Sequence, residues 1–205
     1  MAGEIYEINS PMDGPVRLFV GGVHGREGRA TAPILRRLIR SPPPLAGSIV
    51  VVPSVTGKPT KHISTLRDAY YSTDEGCRLL KLIDHYLPAI YVELHCYVER
   101  AFHLLTDLGR RQKRGVPPLI ELENKVLIGS VSPHLLQMYI FDLCLILEVP
   151  CRDKSGWTTA LGLLQILKYS TTRMEAINEL KAIYPSQMEK AITLMERWSR
   201  EHLSK

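Results

Sequence analysis

The chain has 205 residues, 45% apolar and 23% charged, with a formal net charge of +5. A chain of this size buries about 70% of its unfolded surface and needs no disulfide or structural metal to fold, and it contains no apolar run near the roughly 20 residues of a membrane span. The opening MAGEIYEINSPMDG carries acids and no apolar core, which excludes a signal peptide and makes the cytoplasm the expected compartment.

In chain order, residues 16–22 (VRLFVGG) read as a buried strand ending in glycines. Residues 29–40 read as a helix with Ile34, Leu35, Leu38 and Ile39 on one face, stopped by Ser41 and three prolines. Residues 48–53 (SIVVVP) are a second strand, and 56–71 a polar, irregular loop. Residues 74–87 read as a helix, 89–94 (AIYVEL) as a third strand and 101–106 (AFHLLT) as a fourth. A basic loop is expected over 107–118, a helix over 119–128 and a short helix over 132–138. Residues 142–149 (DLCLILEV) form the last strand, whose unbroken apolar centre implies burial on both faces. Helices follow over 157–169 and 186–203. The alternation of apolar runs with amphipathic stretches predicts an α/β layered fold. The expected organisation is one domain over 1–205, with 171–205 a helical extension packed on it.

Cys77, Cys96, Cys144 and Cys151 form no CxxC pair, so the expectation is reduced thiols rather than a cysteine–zinc cluster. The basic run Arg110, Arg111, Lys113 and Arg114 reads as a solvated loop. No aromatic stacking residues or nucleic-acid reading motif accompany it. The net positive charge is compatible with an anionic substrate.

Residues that suit chemistry occur in separate places. Gly21-Gly22-Val23-His24-Gly25-Arg26-Glu27-Gly28 follows a strand and precedes a helix, the usual position of a ligand site in an α/β sheet. His24 and Glu27 are spaced to face one side of a turn, and imidazole with carboxylate suits zinc; a solvated turn is the plain alternative. His95 closes the third strand, with Glu93 on the same strand face; a satisfied core histidine is the alternative. Glu148 closes a strongly apolar strand, where a carboxylate needs a partner, a proton or a task. The plain partner is an arginine such as Arg152 or Arg67. Thiol catalysis by Cys96 with His95 fails on geometry, because adjacent strand residues point to opposite faces.

The segments GGVHGREG, ELHCY and LILEVP resemble, in this order, the metal and catalytic motifs of the zinc carboxypeptidase and succinylglutamate desuccinylase–aspartoacylase superfamily. The resemblance covers roughly Val16 to Pro150, and the short gap from Glu27 to His95 favours its compact desuccinylase-like branch. It implies a mixed, mostly parallel sheet with helices on both faces, followed by C-terminal helices. It further implies one Zn2+ per chain held by His24, Glu27 and His95, Glu148 as general base and then acid, and Tyr97 near the substrate. The superfamily's usual Asn-Arg pair is absent. Arg67 is the candidate in its place for holding an anion or oxyanion, with Lys58, Lys61 and His62 as further contacts and Arg26 a more exposed one. The expected activity is hydrolysis of an amide bond, at a peptide C-terminus or in an N-acyl amino acid. The rivals are a non-catalytic zinc- or anion-binding domain on the same fold and a basic adaptor for nucleic acid or protein.

Overall fold

A computed structural model describes residues 3–202. Its centre is a seven-stranded sheet in the order β1-β3-β2-β4-β7-β6-β5, made of β1 (Tyr6–Asn9), β2 (Val16–Gly21), β3 (Ser48–Val52), β4 (Ile90–Tyr97), β5 (Ile120–Glu121), β6 (Leu127–Gly129) and β7 (Leu143–Pro150). The inner strands β3, β2, β4 and β7 are mutually parallel; β1 at one edge and β6 with β5 at the other run antiparallel. The fold is therefore α/β with a mixed, mostly parallel sheet, as the motifs imply.

Strand alternation divides the core into two layers. Phe19, Val51, Val92, Leu94, Leu147 and Val149 meet α1 (Gly28–Ile39), α7 (Ser155–Tyr169), α8 (Arg173–Ile183) and α9 (Pro185–His202) on one face. Leu18, Val20, Val50, Val52, Tyr91 and Ile146 meet α2 (Asp68–Tyr71), α3 (Asp74–Tyr86) and α6 (Pro133–Met138) on the other. Helix α3 starts where the Thr73 hydroxyl accepts from the Gly76 N–H, and stops at Leu87, which turns left-handed with φ 44°. No helix among the described residues is long and apolar enough to cross a membrane.

The helix expected over 119–128 is instead the β5–β6 hairpin. Ile120 and Leu122 point inward, Glu121 and Glu123 outward, and Asn124 and Lys125 take positive φ at the turn. The strand expected over 101–106 is instead helix α4 (Phe102–Thr106) behind a 3-10 turn (Glu99–Ala101), because β4 continues to Tyr97 and the sheet needs no further strand there. The basic segment 107–118 contains a short helix α5 (Arg110–Arg114), in which Arg110 is buried rather than solvated. The expectation of reduced thiols fails for Cys96 and Cys151, which are joined by a disulfide. Strand pairing explains it: Cys96 lies opposite Val149, two residues before Cys151, and the two Cα atoms are 5.0 Å apart. Cys77 and Cys144 are free.

Candidate metal centre

The carboxyl ends of β2, β4 and β7 meet at one place, and the turn after β2 begins it. Gly22 and Gly25 both have positive φ, +53° and +60°. At Gly22 a side chain would also collide, since a Cβ there would stand 2.5 Å from the Ser54 hydroxyl oxygen. The turn is pinned on both sides. Val55 and Thr56 donate to the carbonyls of Gly21 and Gly22 at 2.8 and 3.1 Å, and the Thr60 N–H donates to the Gly25 carbonyl at 2.8 Å. The Tyr70 hydroxyl donates to the Val23 carbonyl at 2.8 Å. These bonds fix His24 and Glu27, both 7% exposed, just ahead of α1.

Strand β4 contributes the second half. Tyr91, Glu93, His95 and Tyr97 alternate onto one face of it. His95 Nε2 lies 2.8 Å from Glu93 Oε2, and His95 Nδ1 lies 3.3 Å from Glu27 Oε1. The Tyr91 hydroxyl donates to Glu93 Oε1 at 2.8 Å.

One donor atom from each of His24, Glu27 and His95 falls within 4.8 Å of the others, and all three residues are buried. His24 Nδ1 and Glu27 Oε2 are enclosed, 3.5 Å apart, and neither has a hydrogen-bond partner. Buried polar atoms without partners are rare and costly. A cation between them would satisfy both, and two imidazoles with one carboxylate form a donor set that suits zinc while leaving a coordination position open. The residues present therefore fit a zinc ion.

The electrostatics differ from one donor to the next. Burial pulls the His24 imidazole down to about 4, so it is neutral with a free lone pair at neutral pH. Burial also opposes charge on His95, but the Glu27 carboxylate and the hydrogen bonds to Glu27 and Glu93 outweigh it and hold this imidazole well above its ordinary pKa. Glu27 would be pushed up by burial, yet the imidazoles of His95 and His24 bring it below the usual carboxylate value.

Glu148 is the in-register neighbour of His95 on β7. Its Oε2 is enclosed and has no partner, and burial lifts its pKa to about 7 against the opposing pull of His95. Neither arginine expected as its salt-bridge partner, Arg152 or Arg67, pairs with it. The cation whose charge it feels is Arg110, which is itself buried and donates through Nη1 to the Pro117 carbonyl. A basic run in the sequence gives no sign that its first member turns inward.

Among the other candidates, Tyr97 shares the face of His95, but its hydroxyl is committed to the Lys125 carbonyl at 2.6 Å. His62 is exposed and stands edge-on to His24 with ring centroids 4.3 Å apart. Lys58, Lys61 and Arg67 are exposed on the same 56–67 loop, and among the described residues no hydrogen bond or ion pair holds their side chains. Arg26 is exposed in the turn itself. Tyr70 and Tyr91 join the site beyond the residues that the sequence motifs single out. Tyr91 lies two residues before Glu93, at the strand spacing that places both on the site face.

Solved structures of low identity are similar to this chain. An aspartoacylase family protein from Mesorhizobium loti is 15% identical with a TM-score of 0.48, the match covering 84% of this chain and 63% of that one. A metallo-carboxypeptidase from Pseudomonas aeruginosa is 12% identical with a TM-score of 0.46, over 78% and 58%. The murein-tripeptide amidase MpaA from Escherichia coli O157 is 17% identical with a TM-score of 0.43, over 80% and 86%. The chain thus spans about six tenths of the length of the first two. Likenesses of this degree leave the reading of the site to its own residues. In sequence, the chain is 39% identical over 197 residues to "Uncharacterized protein MJ0501" of Methanocaldococcus jannaschii, covering 92% of each. Residues 12–200 match the model of one family, and the chain belongs to it: "Uncharacterized protein conserved in archaea (DUF2119)".

Proposed function

We propose that this protein is a zinc-dependent hydrolase that cleaves an amide bond, with His24, Glu27 and His95 holding the metal and Glu148 acting as general base. The observation that carries the reading is the convergence of enclosed, unpartnered atoms: His24 Nδ1, Glu27 Oε2 and Glu148 Oε2, all beside His95.

When bound, zinc supplies Lewis acidity and makes a water acidic enough to ionise near neutral pH. Glu148 Oε2 would accept a proton from a water at the site. Its pKa of about 7 suits a group that must accept a proton and then release it to the departing amine. Glu93 holds His95, and the pinned turn holds His24 and Glu27, so the donors stay in place through the reaction. His62, whose ring stands against His24, and Lys58, Lys61 and Arg67 on the same exposed loop would offer contacts to an anionic peptide or N-acyl amino acid, with Arg67 for the oxyanion or substrate carboxylate. Tyr97 shapes the wall beside His95.

The test combines metal analysis with a hydrolysis screen over N-acyl amino acids and short peptides. The expected result is about one zinc per chain, lost in His95→Ala, and turnover that is lost in Glu148→Gln while the metal stays. Wild type that remains empty after reconstitution with zinc would overturn the reading. Zinc uptake with no turnover across the panel would reduce it to a non-catalytic metal-binding domain.

A further inference from the structure

The two candidate histidine ligands are supported in different ways. His24 is flanked by rings, His62 at 4.3 Å and Tyr70 at 6.2 Å between centroids, and no hydrogen bond orients its imidazole among the described residues. His95 instead ends a chain of hydrogen bonds that runs back along its own strand. Tyr91 O–H donates to Glu93 Oε1 at 2.8 Å, and Glu93 Oε2 faces His95 Nε2 at 2.8 Å. Tyr91 and Glu93 are fully buried and His95 is 3% exposed.

The Tyr91 phenol occupies Oε1 of Glu93, which leaves Oε2 to face His95 Nε2. An imidazole that donates there from Nε2 keeps its lone pair on Nδ1, the nitrogen 3.3 Å from Glu27 Oε1. Glu93 is itself held: Phe141 stacks on the Tyr91 ring at 5.1 Å, and strand β4 is hydrogen-bonded between β2 and β7. A carboxyl group buried at the centre of a sheet is costly without hydrogen-bond partners, and Tyr91 and His95 are the partners here. Residues behind a metal ligand that fix its tautomer and raise its basicity typically change metal affinity by about 10–100-fold.

We propose that Tyr91 and Glu93 are positioning residues for the metal centre: they lock His95 in the tautomer that presents Nδ1 and thereby set the affinity for zinc. The proposal rests on the zinc reading of His24, Glu27 and His95. The strand spacing alone, Tyr-x-Glu-x-His, stacks all three side chains on one face, so the device is written into five consecutive residues of β4. Glu93 contributes both geometry and charge. Glutamine at this position keeps an acceptor for the Nε2 hydrogen and removes the charge; alanine removes both. Tyr91→Phe removes one donor and leaves the ring in its packing.

The experiment is zinc affinity by chelator competition for wild type, Tyr91→Phe, Glu93→Gln, Glu93→Ala and His95→Ala, with circular dichroism to confirm folding. Nitrogen-15 NMR of the His95 ring in the zinc-loaded protein reads which nitrogen carries the hydrogen. The expected order is a loss of about 10-fold for Glu93→Gln, about 100-fold for Glu93→Ala and a smaller loss for Tyr91→Phe. The Nε2 hydrogen signal should be present in wild type and altered in Glu93→Ala. Wild-type affinity in Tyr91→Phe and in either folded Glu93 variant, with His95→Ala still deficient, would overturn this proposal alone. Should Glu93→Ala not fold, Tyr91→Phe and Glu93→Gln decide. Failure of the wild type to take up zinc would overturn both this proposal and the hydrolase reading.

Discussion

His95 and Glu148 are register partners on neighbouring parallel strands, so their side chains leave the sheet side by side on the same face. Under the proposed function, a metal ligand and a proton acceptor would thus be held at a separation set by backbone hydrogen bonds rather than by loops. Because Glu148 is not one of the clustered donors, Glu148→Gln should keep its zinc and lose about 10²–10⁴-fold in turnover, the usual contribution of a positioned acid–base group. Metal analysis alongside hydrolysis of N-acyl amino acids and short peptides measures both. Full-rate hydrolysis in the variant would remove Glu148 from the mechanism.

Removing the metal should lower thermal stability. An ion at about 100 times its Kd adds about 2.7 kcal/mol to the folded state. For a chain of this size that corresponds to a Tm about 5–10 °C higher with zinc than with a chelator. His95→Ala should show no such difference, and calorimetric scans of the two proteins with and without chelator make the comparison. A zinc-dependent rise that survives in His95→Ala would place the ion elsewhere.

In the metal-free protein, Glu148 and His24 pull stability in opposite directions over the same pH range. Glu148 rises from 4.5 to about 7 on folding, so its stabilising proton is fully in place below about 4.5 and is lost as pH rises through 7. His24 falls from 6.5 to about 4, so its contribution is present above 6.5 and lost as pH falls through 4. Glu148→Gln deletes the first effect and keeps the second. Relative to wild type, the variant should therefore gain stability between pH 5 and pH 8. Urea denaturation of both chelated proteins at these two pH values tests this, and a gap that does not change with pH would contradict the raised carboxyl.

The disulfide closes a sequence separation of 55 residues, which in the chain-entropy account stabilises by about 4 kcal/mol. Cys151→Ser should lower Tm by about 8–16 °C. A reducing agent should do the same to wild type and nothing further to the variant. Peptide mapping of the unreduced protein checks the link itself; two free thiols at these positions would remove it from the native state.

Much of the frame is legible in the sequence because burial writes a simple pattern there. β2, β3, β4 and β7 are nearly continuous apolar runs, and α1 and α3 repeat their apolar residues at helical spacing. The short elements were harder. Helix α8 opens where the Glu175 N–H donates to the Thr172 hydroxyl at 3.1 Å, a capping signature of only two residues. The alternation in β1 was likewise present but spans only four residues. The hairpin at 120–129 has so many apolar positions that helix and strand periods compete, and the left-handed Asn124–Lys125 turn decides between them. At the site, His24, Glu27 and His95 are brought together as their motifs suggested. Arg110 and the Cys96–Cys151 link depend on which strands and helices become neighbours, a three-dimensional outcome with no local signature.

The 56–67 loop is tied to the turn that carries His24 and Glu27 mainly through its backbone: the amides of Thr56 and Thr60, with that of Val55 just before them, do the holding, aided by the Thr60 hydroxyl, which accepts from the Gly25 N–H. The His62 ring stands against His24, but Lys58 and Lys61 take no part in that attachment. The two lysine side chains can be exchanged without loosening His24, so they are a practical place to graft a new preference onto an unchanged centre.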